Sequence, residues 1–142
     1  MAASRHYNCS APGCFLPGVP LGRFGAALLR GVCDPSVLAV YRVAIAESER
    51  SPEIARVLDR AGRAANQAAL TEFLARAKAR GLVDGDPATM TSYFVGLLWR
   101  DLLVRLLLQV TDPPTVGDVD HRARAAAKML LTLYAYVTPA AE

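Results

Sequence analysis

The chain has 142 residues, 53% of them apolar and only 7% aromatic, which suffices for one domain whose core is built from Leu, Val and Ala. Its net charge of +3 lies wholly at one end, because residues 1–33 carry Arg5, Arg23 and Arg30 with no acid, while residues 34–142 carry 13 basic and 13 acidic side chains. That balance leaves residues 34–142 no surplus of Lys and Arg with which to hold a phosphate backbone, so a nucleic-acid surface is not expected there.

Residues 1–20 hold Pro12, Pro17, Pro20, Gly13 and Gly18 without helical or strand period, and read as an irregular leader. From Leu21 the pattern changes: Leu21, Phe24, Leu28 and Val32 step by 3, 4 and 4, predicting a short helix that stops near Gly31 to Asp34. Three helix starts are then written alike, as Asp34-Pro35, Ser51-Pro52 and Asp86-Pro87. The first side chain can accept from orphan backbone amides, and proline at the first helical position gives up no amide that the helix would use. The helix from Pro35 to about Ser48 is expected to bury Leu38, Tyr41 and Ile45. An alanine-rich helix runs from Pro52 to Arg80, closed by Gly81 as a left-handed C-cap with Leu82 folding back onto Ala77.

The segment from Asp86 to about Thr111 predicts one helix with two apolar faces. Trp99, Leu103, Leu106 and Val110 form one stripe, and Phe94, Leu97, Val104 and Leu108 lie about 140° round the cylinder. After Asp112-Pro113-Pro114, Thr115 and Asp118 resemble a capping box, with Asp in place of the usual Glu or Gln. The last helix sets Val119, Ala123, Ala126, Leu130, Leu133 and Val137 at alternating steps of four and three, the spacing of a helix-pairing seam. The whole is an all-α chain of five helices, and its last two read as a dimer interface.

Catalytic chemistry is poorly represented, and an enzyme is not expected. His6 lies in the leader, and His121 stands on the polar side of the last helix among Asp118, Asp120, Arg122 and Arg124, where a solvated histidine is the simpler reading than a base. No serine sits in a nucleophile elbow and no Gly-rich loop joins a strand to a helix. His6, Cys9 and Cys14 lack the four paired ligands of a structural zinc site, so no metal and no cofactor is expected. Cys9, Cys14 and Cys33, an odd set near the N-terminus, suit a reduced, cytoplasmic protein. The first 20 residues contain no continuous apolar signal region. Tyr93 to Val110 has the length of a membrane span, but Arg100, Asp101 and Arg105 interrupt it, each costing roughly 2.5–3.5 kcal/mol at mid-bilayer.

Arg100 carries two readings: an ordinary surface charge, or a guanidinium pointing into a cavity, where it needs Glu47 or a ligand carboxylate. Asp101 and Arg105, four apart, are expected to pair on the surface. Tyr41, Ile45, Phe73, Phe94 and Leu98 can either line a ligand cavity with Arg100 or simply pack the core.

The stretches Tyr41 to Leu58 and Leu74 to Leu108, together with the alanine-rich last helix, resemble the C-terminal regulatory domain of TetR/AcrR-type transcriptional repressors, in particular the AefR-like group. The resemblance covers about Leu21 to Val137. Ser51 stands where many relatives have an aromatic residue before the proline. It implies a domain that binds a small apolar or amphipathic effector between its helices. It also implies a homodimer in which the last two helices form a four-helix bundle across a two-fold axis. Trp99, Leu103, Leu106, Val110, Val119, Ala123, Ala126, Leu130, Leu133 and Val137 are the residues expected at that interface. Family members contact the operator through an N-terminal helix-turn-helix, a pattern the leader lacks. By itself the chain is therefore expected not to bind DNA, as a truncated or frameshifted relative would not. A helical module that forms mixed dimers with a full-length regulator is the alternative, and a filled core in place of a cavity would favour it. An amphipathic membrane-surface protein is a third reading, disfavoured by the neutral charge of residues 34–142.

Overall fold

The computed structural model describes residues 17–135, all of whose regular elements are helices. They are α1 (Gly18–Val32), α2 (Pro35–Ala46), α3 (Pro52–Asp59), α4 (Ala65–Ala79), α5 (Pro87–Trp99), α6 (Leu102–Leu107) and α7 (Val116–Leu133). A π-helical turn, Arg60–Ala64, joins α3 to α4 without leaving helical backbone angles, so the two form one rod with a one-turn bulge. His6, Cys9, Cys14 and Val137 lie outside the described residues.

The expected helix starts form for the reasons read from the sequence. Asp34 accepts from the Ser36 amide at 2.8 Å, Asp86 from the Thr89 amide at 2.8 Å, and Thr115 and Asp118 exchange both bonds of a capping box. Ser51 starts α3 without a side-chain cap. Gly81 takes φ +70°, and the bonds from Leu82 N–H to the Ala77 carbonyl and from Gly81 N–H to the Lys78 carbonyl complete a Schellman ending. The first helix begins at Gly18, three residues before Leu21, with Pro20 accommodated in the first turn where its missing amide costs no hydrogen bond.

The core is centred where α1, α5 and α7 meet. Leu21, Leu29, Phe94, Leu98 and Leu130 are each fully buried there. Gly25 allows the close approach: a Cβ on it would stand 3.0 Å from Phe94 Cζ and 3.2 Å from Leu98 Cδ1. α4 adds Leu70 and Leu74, and its Thr71 hydroxyl meets the buried Thr91 hydroxyl of α5 at 2.9 Å. α5 and α7 run antiparallel, since Gly85 and Tyr93 lie against Tyr134 while the Leu98 and Trp99 carbonyls face Arg122. An isolated antiparallel bridge from Val83 to Ala135 ends the last helix's run.

The single helix expected from Asp86 to Thr111 is broken. Arg100 takes φ +49° and ψ −124° and Asp101 takes φ −90° and ψ −5°, the angles of a type II′ turn, which favours glycine at its first central position. In an unbroken helix Leu102 and Leu106 would lie about 80° and 120° round from Phe94. The turn brings both back into the interior, where they are 7% and 2% exposed. The carbonyls freed at the two ends are met by arginines from elsewhere. Arg122 donates to the Leu98 and Trp99 carbonyls at 3.3 and 3.4 Å, and Arg42 to the Leu107 and Leu106 carbonyls at 3.0 and 2.7 Å. Beyond the end of α6, Gln109 adopts φ +57° and closes the helix in a second Schellman arrangement.

No single described helix is long and apolar enough to cross a membrane; α1 and α2 reach that length only together, and they are bent at 67° to each other.

Candidate functional site

A groove of about 310 Å³ opens between α1, the start of α4, and the α5–α6 corner. Phe24, Leu28 and Val32 form its α1 wall, and Val95, Gly96 and Trp99 its α5 wall. Leu103 and Val104 of α6 continue the second wall, and Leu70 of α4 contributes an apolar side chain. A second, more open depression of the same volume shares Phe24, Leu28, Val32 and Asn66 with it. Apolar walls with a few polar groups are the ordinary make-up of a small-molecule site between helices.

The polar lining comes from Arg63, Asn66, Gln67 and Arg100. Arg63, set by the π turn, is already engaged: it pairs in two-pronged fashion with Asp59 and donates to Gln67 Oε1 at 3.1 Å. The hydrogen bond from Arg63 to Asp59 holds the Asp59 carboxyl below the usual carboxylate range. Arg100 differs, for among the described residues no carboxylate pairs with it. Glu47, one partner expected for it, does not reach it, and Asp101 beside it faces Arg105 at 3.7 Å in the expected surface pair.

Of the six residues expected to bind a ligand, only Arg100 lines the groove. Phe94 and Leu98 are fully buried under Gly25, and Phe73 is half-buried against the core. Tyr41 places its hydroxyl by the π turn, 3.9 Å from where a Cβ on Gly62 would stand, and Ile45 is 57% exposed. Of the ten residues expected at a dimer interface, the nine within the described residues are also redistributed. Trp99 and Leu103 line the groove, and Leu106 is interior because the helix breaks. Val119, Ala123, Ala126 and Leu130 are covered by α1 and α5 of the same chain and offer a partner no surface. Val110 and Leu133 are exposed.

Groove residues that the sequence does not point to as a site include Phe24, Leu28, Val32, Asn66 and Gln67. The first three belong to the stripe that predicts the first helix, and its spacing alone does not say what the stripe faces. The signal for the amides was their adjacency in an otherwise alanine-rich stretch, and Gly96, a glycine inside an apolar helix, marked the open wall. Cys33 is buried, which pushes its thiol pKa up against the opposing pull of Arg122. Among the described residues no three His, Cys, Asp or Glu side chains gather as a metal site would require.

No curated protein matches the chain. The fold is similar to the crystal structure of a protein assigned as a TetR-family transcriptional regulator from Mesorhizobium loti MAFF303099, with a TM-score of 0.78 and 20% identity. The likeness covers 87% of this chain and 61% of that one, so the chain spans about three fifths of that regulator's length. Residues 20–136 match the AefR-like transcriptional repressor, C-terminal domain. That match covers most of the sequence and agrees with the helical architecture, and the chain belongs to this family of transcriptional regulators, which are not enzymes.

Proposed function

We propose that residues 18–135 are the effector-sensing and dimerising part of a bacterial, cytoplasmic TetR-type repressor, and that the groove at the α5–α6 corner takes the effector. The observation that carries this reading is the groove itself. Apolar side chains of α1, α5 and α6 stand apart around a volume large enough for a small molecule, beside the buried residues of the core. A domain that served pairing alone would have no use for such a space. Contact with an operator falls to a helix-turn-helix outside the matched region, so these residues act on DNA only through it.

For the homodimer, the surface in question is the side of α5 and α7 away from α1. Tyr93, Met129 and Leu133 are more than half exposed there, next to half-buried Leu97. In a four-helix bundle these four would fill the space between two copies, in place of the seam that the chain covers by itself.

The test uses a neutral apolar probe, N-phenyl-1-naphthylamine, and Trp99, which is the chain's one tryptophan and lines the groove. Probe binding is expected to quench Trp99. A Cβ on Gly96 meets nothing within 4 Å, so Gly96→Phe fills the groove without disturbing the core, and it is expected to abolish the quenching at unchanged stability. Equal quenching in both proteins would remove the groove from the proposal.

A further inference from the structure

The groove's charge is one-sided. Two arginines line it and no acid does, and of the two Arg63 is neutralised by Asp59 while Arg100 has no carboxylate partner among the described residues. The carbonyls that end α5 would oppose an anion at this corner, but those of Leu98 and Trp99 are turned to the Arg122 guanidinium. Arg100 also keeps a backbone conformation that glycine would hold at less cost, and strain of this kind persists where the surroundings or the function require the side chain. We infer that the groove's ligand is a small amphipathic monoanion, its carboxylate or equivalent acid held by Arg100 and its apolar chain lying along Phe24, Leu28 and Trp99. This rests on the groove being the effector site.

A planar guanidinium can take a carboxylate through two parallel hydrogen bonds, which a neutral amide of the same shape cannot reproduce. Octanoate and octanamide, near-isosteres that differ in charge at neutral pH, are titrated against Trp99 fluorescence at low salt in the wild type and in Arg100→Gln. The expected result is that octanoate binds the wild type at least tenfold more tightly than octanamide, that added sodium chloride narrows the gap, and that Arg100→Gln closes it. Equal binding of the two by the wild type would overturn the inference and leave the groove as an uncharged-ligand site. A preference for octanoate that survives in Arg100→Gln would overturn it as well, by moving the anion elsewhere. Failure of both compounds to perturb Trp99 also overturns it. The naphthylamine titration of wild type and Gly96→Phe then tells separately whether the groove reading falls with it.

Discussion

Two halves of this domain are put together by different means. Around Gly25, α1, α5 and α7 approach until their side chains interlock, and α7 alone buries Val119, Ala123, Ala126, Ala127 and Leu130. By contrast α3 buries none of its residues and α2 only Leu38 and Ala44, while Val40, Val43, Ile45 and Val57 stand largely in solvent. The second half is held to the first by Leu38, which reaches the core, and at a polar point, where Arg42 of α2 grips the carbonyls that close α6. Burial of apolar area sets most of the free energy of a helical fold, so the two halves should open at very different cost. The loosely attached half is joined through α6 to the groove, and if the groove takes a ligand, that is where a change on binding would cost least.

The sharpest way to break this comparison is to truncate one apolar side chain to alanine in each half. Phe94→Ala should destabilise the protein by roughly 3–5 kcal/mol in urea unfolding, because Phe94 is fully enclosed and its site cannot collapse onto Gly25 without moving α1. Val57→Ala in α3 should stay within about 0.5 kcal/mol. Similar losses from the two would mean that α3 is packed as tightly as α5.

A smaller effect is expected from Arg42→Ala, which leaves the Leu106 carbonyl with its Gln109 bond and the Leu107 carbonyl without its guanidinium, at a cost of about 1–3 kcal/mol. Hydrogen exchange should quicken across α2 and α3 and remain slow in α1 and α7. Uniform quickening would show that the arginine supports the whole fold and does not merely tether one half. A change of the opposite sign is expected at the corner itself. Arg100→Gly should raise stability by about 1 kcal/mol, since glycine takes a positive φ without strain, and a loss of stability would show that the side chain holds the corner together.

What could be read in the sequence was what depends on near neighbours along the chain. The Asp34 and Asp86 caps, the Thr115–Asp118 box and the Gly81 ending each rest on a few consecutive residues, and all form. The helix break did not show, because every residue from Leu97 to Leu108 tolerates a helix and no glycine or proline marks the corner. The turn exists because burying Leu102 and Leu106 outweighs a strained Arg100, a trade visible only once the rest of the core is in place. The same competition emptied the anticipated seam: α1, read as a short separate helix, lies along α7 and covers it. The groove is then the space that α6 leaves when it bends away from the line of α5.

The π turn at Arg60–Ala64 has a consequence of phase. Such a bulge holds one residue more than the α-helical path would, and each residue turns a helix by about 100°. Removing a single residue there would let α3 and α4 merge into a regular helix and would swing α3 by that angle about the shared axis. The face of α3 now turned toward α2 would look elsewhere, and α2 would lose its neighbour while the α1–α5–α7 core stayed as it is. One insertion thus sets which way the outer rod faces.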